Sequence, residues 1–536
     1  MRRSCCNACL CAALLAGAGC SGPEYTPPEA RIAGSYPDAG PAKGAAIREG
    51  RIVPVAEAPE RWWALFEDPE LNALVDRAVR GNRNIQGAIS RIRQARAERA
   101  EIAASFFPEL DAAGGYERGR GSENVVLPLG AIGGGGSAGV GSPGSVGSAV
   151  NTSATQPAAR QVAPSGGASA GGGAQVPPGG PQSPFGEGGL PGVTTSLYQV
   201  GFDATWEIDV FGTTRHAVEA ANASLEAAND DAQSVVVSLL GEVASDYMQL
   251  RASQVRLGIA RRNVASQRET LGVLRDRAAS GLATEVDVAQ QAALVASSEA
   301  TLPELEASEQ ATIHALAYLV GGDPNDLDKE LGAPGSLPDM PPTVPVGVPS
   351  DLLRRRPDVR SAERKLAAAT AEVGVAHGQL FPQFSLTGTL GLDSSQSKNL
   401  VARASQYYSI SPGISWPILD WGRIRASIRV QGELEKQAFI AYQDAVAQAL
   451  RDVEDALVRY NGERERLISL RRAVEESRVA SDSARASLAQ GLVDERVTLE
   501  ADRATLQSED AAAQCQAALR TDLISLYKAL GGGWNS

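Results

Sequence analysis

A displacement of 210 residues constrains this chain more than any other feature. The stretches WEIDVFG from Trp206 and WPILDWG from Trp416 stand that far apart; each opens on Trp, carries an acid and closes on an aromatic-Gly step. The apolar residues that follow keep the same displacement. Val236, Leu240, Val243, Tyr247, Leu250 and Leu257 match Val446, Leu450, Val453, Leu457, Tyr460 and Leu467. Their three-four spacing is that of a coiled-coil seam, on helices far longer than an ordinary globular protein uses. Each run ends at Gly, in GLATEVDV from Gly281 and GLVDERVTL from Gly491, and turns back into another helix. Upstream, FFP at Phe106 matches LFP at Leu380 at a displacement of 274. The chain reads as an internal duplication of helix, strand, loop, strand, long helix, turn and return helix. A repeat of that size sets the fold before any local detail does.

A strand leads into each corner. Tyr198, Val200, Phe202, Ala204, Trp206 and Ile208 alternate with Gln199, Gly201, Asp203, Thr205, Glu207 and Asp209, giving one apolar and one polar face. In the second half Tyr408, Ile410, Ile414, Trp416 and Ile418 alternate with Ser409, Ser411, Gly413 and Ser415. LDAAGGY from Leu110 and QFSLTGTLGL from Gln383 add a weaker strand to each pair. Four strands cannot close a barrel, and an open edge in lipid leaves backbone groups unsatisfied. Closed membrane barrels have eight strands or more. Several chains must therefore share one barrel, and three would supply twelve strands. Tyr198, Phe202, Trp206, Tyr408 and Trp416 would then face lipid, with the polar face toward water. A long helix of roughly 67 residues spans about 100 Å. Two shorter helices, about 75–105 and 285–320, would match it end to end and complete an even wall.

The ends and the composition narrow the class. Residues 1–19 carry Arg2, Arg3, a short apolar stretch and small residues before Cys20, the pattern of a secretory signal followed by a lipidated cysteine. Five of the six cysteines fall within residues 1–20, which leaves Cys515 as a packing residue and rules out a disulfide framework. Residues 20–60 read as a lipid-anchored extended arm, 61–320 as the first repeat, 321–352 as an equatorial connector and 353–536 as the second repeat. Within the first repeat, residues 114–196 are dominated by Gly, Ser, Ala and Pro and read as one long extracellular loop, because they cannot bury enough apolar surface to offset their ordering entropy. GVGSPG at Gly139 and GGSAG at Gly135 are chance matches inside that tract. A net charge of −13 argues against a nucleic-acid partner. No run of 18 apolar residues exists to form a spanning helix. His216, His314 and His377 lie in separate contexts with neither metal spacing nor a placed nucleophile, so no catalysis, metal or cofactor is expected.

CSGPEY at Cys20, WW..F.DPEL..LV at Trp62, FFPELD, LFPQFSL, RRRPDVRSAE at Arg354, the two Trp corners and the two Gly-ended turns together resemble the TolC-like outer-membrane efflux factors, specifically their lipoprotein, NodT-type branch. The resemblance covers nearly all of the chain apart from the Gly-rich tract. It implies a membrane α+β fold, in which a homotrimer shares a twelve-strand transmembrane β-barrel continuous with a long α-helical coiled-coil barrel in the periplasm. It also implies an exit duct in the cell outer membrane, passively conducting drugs or other small molecules from an inner-membrane RND-type transporter and a periplasmic adaptor. The family closes its periplasmic mouth near the Gly-ended turns. Its gate acid, nine residues after the Gly, falls on Glu500, and its gate arginine on Arg503. Gln290 and Ala293 stand at those places in the first repeat. Three copies of each charge about one axis would favour hydration or pairing over a dry closed state. Gly281, Thr284 and Glu285, with Gly491, Asp494, Glu495 and Arg496, are the expected adaptor-facing tips. Glu500 stands where the family often has Asp, and Leu488 where it has an aromatic. A type I secretion duct for proteins would share this architecture. A lipid-anchored periplasmic coiled coil would leave the four strands unexplained.

Overall fold

A computed structural model describes residues 23–28, 36, 50–53, 59–120 and 194–533. Cys20 and most of the expected Gly-rich loop lie outside the described residues. In chain order the elements are β1 (Arg51–Val53), α1 (Pro69–Gly81), α2 (Arg83–Ala104), β2 (Glu109–Arg120), β3 (Thr194–Ile208), α3 (Thr213–Ala279) and α4 (Glu285–Leu319). They continue with β4 (Thr343–Pro345), α5 (Pro357–Gly378), β5 (Gln383–Ser394), β6 (Gln406–Ser415), α6 (Arg423–Ala489) and α7 (Glu495–Ala529). Lengths match across the two halves: 22 residues in α2 and α5, 12 in β2 and β5, 67 in α3 and α6, and 35 in α4 and α7.

Among the described residues, one compact unit is made from 108–120, 194–205 and 386–412, the larger part of a four-stranded sheet in the order β2-β3-β5-β6. β2 pairs antiparallel with β3 from Glu109↔Thr205 to Arg120↔Thr194. The strand therefore runs through Gly114, Gly115 and Gly119 to Arg120, beyond the position at which composition places the start of the loop. Ladder pairing along β3 satisfies the backbone there, and Tyr116 and Tyr198 bring their rings within 4.7 Å. On the opposite face, Gln199 Nε2 donates to the Tyr407 hydroxyl at 3.1 Å. A Cβ on Gly391 would lie 2.8 Å from the Tyr407 ring, so that ring rests where only glycine fits. β2 and β6 are the two sheet edges.

The helices form the other unit, around a core that joins Trp62, Trp63, Phe66, Leu71 and Leu74 to Leu240, Val243 and Tyr247 of α3 and Leu523 and Tyr527 of α7. The helical pattern that begins at Pro69 does not run unbroken to 105. Asn82, at φ −65 and ψ 130, ends α1 and starts α2, its side chain accepting from Asn84 N at 2.8 Å and donating to Leu319 O at 2.8 Å. At the break Gly81 lets the chain pass close to the end of α4, where a Cβ would sit 2.2 Å from Val320 O. β1 pairs parallel with β4, joining Arg51–Val53 of the arm to Thr343–Pro345 of the connector. α3 lies against α1, α2, α4, α5 and α7, whereas α6 has α5 and α7 as its main partners. No helix among the described residues is long and apolar enough to cross a membrane.

Candidate functional site

Each repeated corner must hand a strand over to a 67-residue helix whose first N–H groups have no partner of their own. Each corner's acid supplies one, although the two stand one register apart, Leu419 being 210 residues after Asp209. The Asp209 carboxylate accepts from Gly212 N at 2.8 Å and Arg215 N at 2.9 Å; the Asp420 carboxylate accepts from Ile424 N at 2.8 Å and Gly422 N at 2.9 Å. Those donors, Ile424 foremost, hold the Asp420 carboxyl below the usual carboxylate range. A negative charge also suits a helix N-terminus. Gly212 and Gly422 take φ of 87 and 86, where a side chain would be strained. The tryptophans tie the corners back to the start of the preceding strand. Trp206 Nε1 donates to Phe106 O at 2.9 Å and Trp416 Nε1 to Leu380 O at 3.0 Å. The twins differ in one respect: Phe211 stacks on Phe381 at 4.8 Å, while its counterpart Trp421 is 91% exposed. Of the residues expected to face lipid, Phe202, Tyr408 and Trp416 are exposed, and Tyr198 and Trp206 are half-buried.

RRRPDVRSAE is a clamp. Pro357 opens α5 at its first turn. The buried Arg356 guanidinium meets Asp358 at 2.6 Å and Asp452 at 3.2 Å and donates to Ala529 O at 3.1 Å, which ties α5 to α6 and to the end of α7. Burial acts to raise Asp358, and Arg356 overrides it, leaving that carboxyl below its usual range. Toward α3, Arg360 pairs with Asp230 at 2.8 Å, Arg364 with Glu226 at 3.1 Å and Lys365 with Asp231 at 3.0 Å. Sequence reasoning missed a second network. Arg251, buried on the seam of α3, pairs with Glu70 and donates to the Tyr247 hydroxyl, which donates to Asp68 at 2.8 Å. An arginine inside an apolar run was the available signal.

At the far ends of the long helices, Gly281 and Gly491 take φ of 72 and 70, and a Cβ at either would meet nothing within 4 Å. Thr284 and Asp287 form a reciprocal capping box at the start of α4, the Thr284 hydroxyl and N–H together holding Asp287 below the usual carboxylate range. Asp494 occupies the same place before α7 with no side-chain cap bond. Leu282 and Leu492 are exposed at the tips, and Glu285 and Arg496 beside them are exposed too. Behind the tips, Arg268–Glu299 at 2.7 Å and Arg478–Glu509 at 2.6 Å clip each long helix to its return helix at equivalent positions. Glu500 and Arg503 are both exposed on α7 and form no ion pair with one another. Arg503 instead lines a groove of about 430 Å³ with Gln267 of α3, Ser297 of α4 and Asp510 of α7. Gln290 and Ala293 are exposed on α4. His216 lies against Glu219, and His314 against Gln310, on separate helices.

Residues 158–322 and 348–532 match the family model described as outer membrane efflux protein. Pyoverdine export outer membrane protein OpmQ of Pseudomonas putida is 29% identical over 484 residues, 89% of either chain. Nodulation protein T of Rhizobium leguminosarum bv. viciae is 32% identical over 350 residues, covering 65% of this chain and 72% of its own. Among solved structures, the outer-membrane channel OprN superposes with a TM-score of 0.78 at 32% identity, over 96% of this chain and 99% of that one.

Proposed function

The chain belongs to the outer membrane efflux protein family, and from that premise we infer that it is the outer-membrane channel of an efflux pump, the exit duct through which drugs or other small molecules leave the cell. The observation that carries this reading is the joining of a four-stranded sheet, whose edges β2 and β6 have no strand neighbour among the described residues, to two helices of 67 residues. Such a sheet is complete in lipid only when copies share it. Three copies give a twelve-strand barrel, with each Trp corner marking the place where a strand leaves the membrane. The matched element lengths support an internal duplication.

The duct conducts passively, so cargo is chosen by an inner-membrane RND-type transporter and handed on through a periplasmic adaptor. That adaptor meets Gly281, Thr284, Glu285, Gly491, Asp494, Glu495 and Arg496 at the helical tips. Glu500 and Arg503 narrow the periplasmic mouth. Cys20, lipidated, anchors the chain in the outer membrane. Electron microscopy of detergent-extracted protein from the membrane fraction tests the shared duct. A threefold particle longer than about 100 Å, the length of one long helix, is expected; a monomeric particle sinks the reading.

A further inference from the structure

We propose that the far end of the β2–β3 pair binds a phosphorylated glycolipid of the outer leaflet, with Arg118 and Arg120 on its phosphate and Tyr116, Tyr198, Ser196 and Thr194 on its sugars. The inference rests on the shared-barrel reading and names a lipid that borders it.

Charge is sorted by face in this sheet. Glu109, Asp111, Glu117, Asp203, Glu207 and Asp393 fall on the alternate positions that carry Gln199, Gly391 and Tyr407, the polar face. Arg118 and Arg120 are the only cations on the described strands of the sheet, and they share the other face with Tyr116. Their ladder partners on that face are Ser196 and Thr194, as Tyr198 is the partner of Tyr116. A chain of net charge −13 thus puts its two strand cations on the face that is otherwise apolar.

Position along the strand sets the depth of this patch. From Trp206 at the corner to Tyr198 is nine residues, and a tilted strand crosses the hydrocarbon in about nine to eleven. Tyr116 and Tyr198, with ring centroids 4.7 Å apart, therefore stand at the far edge of the apolar band, where aromatic girdles sit. Arg118 and Arg120 lie beyond them at headgroup level, and both are exposed. The Tyr116 hydroxyl and Ser196 Oγ are 3.5 Å apart just below. The turn between β5 and β6 opens at the same end, since Gly201 lies against Leu390 and Gly391, and Gly388 against Ala204. That turn adds exposed Lys398 and Arg403, and residues 394–405 hold no acid. Guanidinium forks grip phosphate oxygens two at a time. Hydroxyls and ring faces with a polar tip suit a sugar. A free anion would gain nothing from the apolar flank beneath, whereas Val200 and Phe202, 49% and 52% exposed, give acyl chains a surface to lie on. The occupant is therefore a lipid, and its headgroup carries phosphate on sugar.

The test uses the full chain, extracted from membranes into a neutral detergent. It is equilibrated with a bis-phosphorylated glucosamine-disaccharide lipid, with the same lipid stripped of its phosphates, or with phosphatidylglycerol, and adducts are counted by native mass spectrometry. The bis-phosphorylated lipid is expected to bind, and the other two to bind at least about tenfold more weakly. R118Q/R120Q should weaken it about 30-fold, since each arginine near a headgroup contributes about a factor of five. R118K/R120K, which keeps the charge and loses the fork, should fall between. D203N, on the polar face, should leave binding unchanged. Undiminished binding by R118Q/R120Q, or an equal loss in D203N, would overturn the site. So would equal binding of phosphatidylglycerol, equal binding of the stripped lipid, or displacement by inorganic phosphate at the same concentration. The same spectra count copies: trimers without lipid overturn this site alone, and monomers overturn the shared barrel with it.

Discussion

Asp209 and Asp420 show how a residue type visible in a motif acquires a role only through its bonds. Both look like acids on a strand end, and both serve as acceptors for the first free N–H groups of a long helix. Asp68 does the same for α1, accepting from Glu70 N at 2.9 Å and Leu71 N at 3.1 Å while also accepting from Tyr247. Asp68→Ala removes a cap and the shorter of the Tyr247 hydroxyl's two acceptors, leaving it Glu70 at 3.4 Å, so a loss of about 1–2 kcal/mol is expected in denaturant unfolding. Cys515 gives a second residue-scale prediction. Burial first, then the neighbouring Glu463 carboxylate, pushes its thiol up to about 12. Since the thiolate is the nucleophile, alkylation mapped to Cys515 at pH 8 should be slow in the folded protein. It should become fast on unfolding; rapid labelling of native protein would contradict the burial.

At the scale of elements, the hairpins between long and return helices turn on a single left-handed glycine each, Gly281 and Gly491. A Cβ there meets no atom, so Gly491→Ala should cost only backbone strain, about 1–2 kcal/mol. Its effect should stay local, seen as faster amide exchange in the last turns of α6 and first turns of α7. Faster exchange throughout the helices would mean that the tip governs the whole hairpin. The other elements were unequally legible. Helices α3, α4, α6 and α7 follow from apolar spacing and Gly stops. The break at Asn82 does not, because the buried bond its side chain makes is to the carbonyl of Leu319, which is remote in sequence. β2 continues past the start of the Gly-rich composition because its partner is β3, more than 70 residues away by sequence.

On the scale of the whole molecule, the proposed gate can be tested by conductance in planar bilayers. Glu500→Ala with Arg503→Ala should raise the resting conductance of the channel several-fold, since six charged side chains leave a threefold mouth; unchanged conductance removes both residues from the gate. The position of Arg503 in a groove with Gln267 and Asp510 gives the substitution a second consequence. Opening that groove should loosen α7 from α3, visible as exchange at the α7 amides even where conductance is unaltered.

Taken alone, the sequence determined the period of this protein. The displacements of 210 and 274, the seam spacing, the strand alternation and the turn glycines are all local patterns repeated, and local pattern depends only on neighbours along the chain. Two helices with the same apolar seam nevertheless differ in what covers them. α3 is wrapped by helices from both halves, whereas α6 has as its main partners α5 and α7 of its own half. Nothing in the period distinguishes Ala220 from Val430 or Phe211 from Trp421 as inside or outside. Burial is a property of the neighbours that folding brings near, and only the tertiary structure decided which of the two equivalent faces was already filled.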